Sequence, residues 1–404
     1  MDRPVADSPP SPWFAGPGAR SWACVGAEQV RSGAVRAFHE GLPGYAPTPL
    51  AEVPALAAEL GAGRVFVKDE SARLGLPAFK ILGASWAVRQ LLASGPGGAG
   101  PVNTLAELRS LAATRPGLAF ATATDGNHGR AVARMAQLAG VPARVFVPAV
   151  TQPPVIAAIS GEGAQVTRVA GSYDEAVAAA AGWARGHPGT ELIQDTAWPG
   201  YERVPRWIAE GYSTLFAETD AQLAAAGAAP PALIAVPVGV GSLAQAAVAH
   251  YRAQDPPPSQ AQDPPPSQAQ DAPPSQARPA LLAVEPDTAA CLLASLRAGA
   301  PVPVPTAGTI MAGLNCGTVS AIAWPYLSAG LDAAVAVSDA AAARAVADLA
   351  AAGISAGPSG AASLAGARAV LTGPGSASRR GTLALRPGPV VVLLSTEAGG
   401  APVS

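Results

Sequence analysis

Short apolar runs alternate with alanine-rich helical stretches along this chain, and that alternation restricts the fold more than any other feature. The runs are RVFVKD (64–69), LAFATAT (118–124), ARVFVP (143–148), AQVTRVA (164–170), TELIQD (190–195), ALIAVPVG (232–239), LLAVEP (281–286), AAVAVSD (333–339) and VVVLLST (390–396). Helical stretches fill the gaps at 82–93, 129–139, 174–185, 203–226, 242–252 and 340–351. Strands alternating with helices predict an α/β fold of parallel sheets wound by right-handed crossovers. Wholly apolar runs such as VVVLLS suit strands covered on both faces. In such sheets ligands bind outside the carboxyl ends of the strands. The chain's 404 residues suit two domains or one large one.

Composition narrows the function. The net charge is -2, with acids and bases scattered, so no basic patch for nucleic acid or a membrane surface is expected. No apolar run reaches the ~18 residues of a membrane span. The first residues hold no apolar core of signal-peptide length. Cys24, Cys291 and Cys316 are too few and too far apart for a disulfide framework, and no His/Cys cluster has metal-ligand spacing. These features predict a cytoplasmic protein without a metal site. Residues 1–35, rich in Pro, Gly and Ser toward the start, are expected to be a disordered tail. Residues 253–277 hold a near-perfect octapeptide repeat (AQDPPPSQ, AQDPPPSQ, AQDAPPSQ). Proline at that density blocks helices and central strands, so the repeat reads as a disordered insertion in a surface connection.

Of the 26 basic residues only Lys68 and Lys80 are lysine. Arginine stays protonated, whereas a lysine of lowered pKa can serve as an amine nucleophile. Lys80 ends the segment SARLGLPAFK (71–80) and opens an apolar helix, a setting that desolvates an amine. A helix-start lysine reaching for solvent is the simpler alternative.

Two further segments sit where a strand gives way to a helix, and two more at strand ends. TDGNHGR (124–130) offers Asp125 as an acid or base and Asn127 as a hydrogen-bonding amide. An Asp- or Asn-capped turn would read the same way. PVGVGSL (237–243) has the parts of a phosphate cradle: a glycine turn, free N–H groups, a helix N-terminus and a serine. It is neither GxGxxG nor a Walker loop. QDTAW (194–198) places Asp195 at a strand end, and LSTE (394–397) ends the last run with the hydroxyls of Ser395 and Thr396. An amine, an anion cradle, a ring-oxygen partner and a hydroxyl for a ring nitrogen are together what pyridoxal phosphate requires.

These motifs resemble the fold-type II pyridoxal-phosphate enzymes of the threonine dehydratase and tryptophan synthase β superfamily, and within it the diaminopropionate ammonia-lyase family. The resemblance rests on FHE (38–40), LPGYAPTPL (42–50), VKDES (67–71), AFK (78–80), ATDGNHG (123–129), QDTAW (194–198), TIMAGL (309–314) and LSTE (394–397). It implies two open, twisted, mostly parallel sheets. The large cofactor-binding domain would take 36–91 and 193–404, with a smaller inserted domain at 92–192. It implies that Lys80 carries the cofactor as a Schiff base and that Asn127 meets its ring oxygen O3′. Gly239, Val240, Gly241, Ser242 and Leu243 would hold the phosphate, and Ser395 or Thr396 would face the ring nitrogen. Asp125 and Asp195 would exchange the substrate Cα proton from opposite faces.

The implied reaction is elimination of ammonia from D- or L-2,3-diaminopropionate to give pyruvate, by a homodimer. A serine or threonine dehydratase or racemase, and a cofactor-binding protein without turnover, remain alternatives. Three stretches depart from the family pattern. GPSG (357–360) lacks the acid of a GESG-like stretch, Val155 stands where a basic residue is usual, and the chain's end reads STEAG (395–399).

Overall fold

The computed structural model describes residues 12–16, 18–24, 33–95, 102–124, 126–253 and 278–399. In chain order the elements are β1 (Trp13–Ala15), α1 (Ala34–Glu40), β2 (Leu50–Glu52), α2 (Pro54–Leu60), β3 (Arg64–Asp69), α3 (Lys80–Ala93) and α4 (Leu105–Ala113). Next come β4 (Ala119–Ala123), α5 (Asn127–Ala139), β5 (Ala143–Pro148), α6 (Pro153–Gly161), β6 (Gln165–Val169), α7 (Tyr173–Gly186) and β7 (Thr190–Leu192). Then follow α8 (Arg203–Gly211), α9 (Ser213–Ala225), β8 (Leu233–Pro237), α10 (Ser242–Tyr251), β9 (Ala280–Pro286) and α11 (Cys291–Ala298). The chain closes with α12 (Trp324–Gly330), β10 (Ala333–Val337), α13 (Asp339–Ala351), α14 (Pro358–Leu371), α15 (Ser376–Thr382) and β11 (Val390–Ser395).

Two sheets result, in keeping with the expected class. The larger runs β1-β10-β9-β8-β11-β3-β2, parallel except for the antiparallel edges β1 and β2. The smaller runs β6-β5-β4-β7, all parallel, and is built from residues within the 92–192 segment.

The period of two along each strand shares the large sheet between two apolar layers. Phe66, Ile234, Val236, Leu281, Val392 and Leu394 face α3 and α10, while Val65, Val67, Leu233, Leu282 and Leu393 face α13 and α14. Both layers are fully buried, as a doubly covered parallel sheet requires. Each such side chain contributes about 2 kcal/mol from burial.

Three expectations need correction. The segment 1–35 is not wholly a tail. Within it β1 pairs with β10, Arg20 bonds Asp332 at 3.0 Å, and Cys24 bridges to Ala253. A strand of three residues offers too little alternation to be read from sequence. The single helix at 203–226 is two, broken at Tyr212, where Gly211 packs so closely on α3 that a Cβ would lie 2.4 Å from the Leu82 carbonyl oxygen. The run 190–195 is a strand only to Leu192. Residues 254–277 of the repeat lie outside the described residues.

Candidate active site

The carboxyl ends of β3 and β11 run side by side, and their exits build the support for Lys80. The loop 70–79 is pinned to the chain beyond β11: Glu70 N–H donates to the Ser395 carbonyl at 2.9 Å and Phe79 N–H to that of Thr396 at 3.3 Å. In return Ala398 N–H donates to the Pro77 carbonyl at 2.8 Å. Inside the loop Leu74 takes a left-handed φ of 52°, followed by Gly75 at 74°. A leucine pays for that conformation in steric strain, so the surrounding bonds must hold it. Lys80 then opens α3. A Cβ on Gly83 would lie 2.6 Å from the Tyr212 ring, so glycine lets that ring reach the base of the site.

Lys80 Nζ donates to Asp195 Oδ2 at 2.8 Å, and the lysine side chain keeps 22% of its exposure. Asp195 is buried. Burial alone pushes its carboxyl up, but Lys80 and His128 outweigh burial and hold it well below the usual carboxylate range. It is therefore an ionised acceptor at neutral pH. His128 Nδ1 stands 3.8 Å from Asp195 Oδ2, and its Nε2 bonds the Ile193 carbonyl at 2.8 Å. Burial pushes the His128 imidazole down, with the neighbouring Lys80 adding to it, so it serves as a neutral packing partner.

The turn before α5 is organised by Thr124, whose Oγ1 accepts the N–H groups of Gly126 (2.9 Å) and Gly129 (3.0 Å). A Cβ on Gly129 would fall 2.3 Å from Thr124 Cγ2, so the turn demands glycine there. Asn127 is the first residue of α5, and its Nδ2 donates to Glu397 Oε2 at 2.8 Å. Asp125 lies outside the described residues. Val155 borders this turn, with Cγ1 3.6 Å from the position of a Cβ on Gly126.

The turn between β8 and α10 is equally close-packed. Gly241 has φ 101°, and a Cβ there would lie 2.6 Å from Leu327. One on Gly239 would lie 3.0 Å from the Gly313 carbonyl oxygen and 3.1 Å from Cys316 Sγ. TIMAGL, which has no reactive group of its own, thus forms the wall against which the glycine turn rests. Ser320 N–H donates to the Val240 carbonyl at 2.9 Å. The Ser242 hydroxyl donates to the Asp195 carbonyl at 3.1 Å, so it ties the turn to QDTAW, while Leu243 is buried. Gln194 in turn accepts from Ala123 N–H at 2.9 Å.

The structure therefore brings Lys80, Asp195, Asn127, the 239–243 turn and Ser395 to strand ends around one site. Two participants escaped the sequence reading. Tyr212 was buried in an assumed continuous helix. Ser359 lay in a stretch noted only for a missing acid. Pro358 occupies the first turn of α14, where proline is well tolerated, and the carboxylate at that helix end is supplied by Glu397.

Residues 42–394 match the family model described as pyridoxal-phosphate dependent enzyme. The chain belongs to the pyridoxal-phosphate dependent enzyme family. It is 36% identical over 306 residues to the diaminopropionate ammonia-lyase of Salmonella typhimurium, covering 72% of this chain and 69% of that one. It superposes on the Escherichia coli diaminopropionate ammonia-lyase solved with D-serine at a TM-score of 0.82 and 31% identity, covering 96% and 93% of the two chains. It also superposes on the same E. coli enzyme solved with an aminoacrylate-PLP azomethine reaction intermediate, at a TM-score of 0.78 with 31% identity and the same coverage. The chain is thus a pyridoxal-phosphate dependent lyase of the fold-type II architecture.

The site fits that cofactor. Among the described residues Ser395 Oγ is buried without a hydrogen-bond partner, which an internal hydroxyl tolerates only at a cost. A heterocyclic nitrogen would satisfy it. The glycine turn leaves no room for side chains and presents main-chain N–H groups at a helix N-terminus, an arrangement suited to a phosphate.

Proposed function

We propose that this enzyme eliminates ammonia from 2,3-diaminopropionate, giving pyruvate and a second ammonia after hydrolysis. The observation that carries the reading is the Lys80–Asp195 pair at 2.8 Å, set among the glycine turn, Asn127 and the unsatisfied Ser395 hydroxyl. Bound pyridoxal phosphate supplies an aldehyde for the substrate amine and an electron sink for charge developing at Cα.

The chain's own residues do the rest. Lys80 would supply the amine that holds the cofactor. Gly239, Val240, Gly241, Ser242 and Leu243 bind the phosphate through main-chain N–H groups. Asn127 hydrogen-bonds the ring oxygen O3′. Ser395 or Thr396 would meet the ring nitrogen with a hydroxyl. A hydroxyl, unlike a carboxylate, does not hold that nitrogen protonated, which favours β-elimination over reactions that need a longer-lived carbanion.

Asp195, or Lys80 beside it once released as a neutral amine, would take the Cα proton on one face, and Asp125 would take it on the other. Bases on both faces admit both substrate enantiomers. The β-amine, already protonated at neutral pH, would leave as ammonia as the C–N bond breaks. The active form is taken to be a cytoplasmic homodimer.

Steady-state assays with D- and L-diaminopropionate, serine and threonine test the reading. Pyruvate should form fastest from diaminopropionate. Pyruvate from serine or threonine with none from diaminopropionate would reassign the substrate, and no turnover of any of them would leave a cofactor-binding protein.

A further inference from the structure

Glu397 closes the STE motif, yet the elimination uses neither its charge nor its position. Its carboxylate is held at both oxygens. Oε1 accepts the Ser359 N–H at the start of α14 at 3.2 Å, and Oε2 accepts Asn127 Nδ2 at 2.8 Å. Its backbone accepts the Gly357 N–H at 2.9 Å and bridges to Ala78, two residues before Lys80. A Cβ on Gly357 would lie 2.9 Å from Oε1, so the pocket is cut to fit this carboxylate. Glu397 thereby joins three segments far apart in sequence: its side chain ties the start of α5 to the start of α14, and its backbone bridges to the lysine loop.

The chemistry of this contact is directional. The amide of Asn127 has two donors on Nδ2 and an acceptor on Oδ1, and its two flip states have the same shape, so the hydrogen-bond partners decide between them. An ionised carboxylate only accepts, so it selects the flip that presents Nδ2.

We propose that Glu397 is a positioning residue: it pins one N–H of Asn127 and thereby turns the other toward the O3′ oxygen of the cofactor. The inference rests on the reading that Asn127 meets that oxygen. Burial raises the Glu397 carboxyl more than Ser359, Asn127 and Lys80 lower it, yet both its oxygens accept N–H groups. Glutamine at 397 would lose the selection, because its own amide can face Asn127 with either end.

The test uses purified holoenzyme carrying Glu397→Gln, Asn127→Ala or both, with three readouts. These are cofactor content after borohydride reduction, the balance of the visible absorbance bands of bound cofactor, and steady-state kinetics. Glu397→Gln should keep a full complement of cofactor, shift the band balance, and lower kcat about tenfold with KM within about twofold. Asn127→Ala should shift the bands in the same direction, and the double variant should go no further than Asn127→Ala alone.

A wild-type spectrum and kcat in Glu397→Gln, with both altered in Asn127→Ala, would overturn the positioning role and leave the Asn127 reading standing. An Asn127→Ala protein with full cofactor and an unchanged spectrum would instead remove the reading beneath it. Glu397→Asp, which retracts the charge by one methylene, is the second variant should Glu397→Gln fail to hold cofactor. It should shift the bands likewise, and a wild-type spectrum from it would overturn the proposal.

Discussion

The chain's two lysines stand in opposite surroundings. Lys68, on β3, is fully buried, and Nζ donates to the Thr48 carbonyl (2.9 Å), Glu218 Oε2 (2.7 Å) and Gln222 Oε1 (2.8 Å). Beside it Arg73 donates to Glu70, Glu218 and Thr48. Two cations face two carboxylates, and all three N–H groups of Lys68 are used. Lys80 is partly exposed, set against one carboxylate, with an unsatisfied hydroxyl and a glycine turn nearby.

The first cluster is closed to solvent and holds a shape. The second leaves its lysine partly accessible. The two are mechanically joined, because Arg73 belongs to the loop that ends at Lys80. The charge cluster thus fixes the strained loop that presents the reactive amine.

Breaking each region should give different losses. The largest effect belongs to Lys80→Ala, which should cut pyruvate formation at least about a thousandfold while the protein still folds. Residual turnover above a tenth of wild type would contradict the assignment. Next, Lys68→Met should lower unfolding free energy by about 3 kcal/mol in urea titrations, because it leaves buried acceptors unpaired. Cofactor attachment per folded molecule should be unchanged. A variant as stable as wild type would remove the strut role of Lys68.

The same cluster should respond to acid. Burial pushes the Glu218 carboxyl up, but Arg73 and Lys68 reverse this and hold it at about 2, against 4.5 unperturbed. A depressed folded pKa contributes stability that is fully present above the unfolded value and is lost as pH falls through the folded one. Stability measured from pH 5 down to about 2 should therefore decline more steeply in wild type than in Glu218→Gln. Equal slopes would break the link.

Gly241→Ala should weaken cofactor affinity about tenfold in fluorescence titrations, because its φ and the contact with Leu327 both resist a side chain. The smallest effect is expected for deletion of 254–277, which leaves the bridged Ala253 in place, within about 0.5 kcal/mol of wild type, as loop length costs little. A large loss would show that the repeat supports the fold.

Much of this was legible in the sequence, for physical reasons. The strands at 64–69 and 143–148 agree to the residue because they are apolar runs bounded by polar turns. Lys80, Asn127 and the 239–243 turn could be found because each sits where a strand meets a helix, the place where such folds bind ligands.

What was hidden had no local signal. Helix α14 is buried along most of its length, and small residues run round it, so its amphipathic period is weak. The partners of Glu397 lie 270 and 38 residues away. The scarcity of lysine did not by itself separate its two uses. Lys68 is a compact point charge matched to three close acceptors, a place where the wide arginine fork fits poorly, and it is not a nucleophile.

Reduction of the purified holoenzyme with borohydride, followed by mapping of the labelled peptide, tests the central claim most directly. The cofactor should be found on Lys80, with Lys68 unmodified. Label on Lys68, or cofactor bound with no label on Lys80, would contradict it.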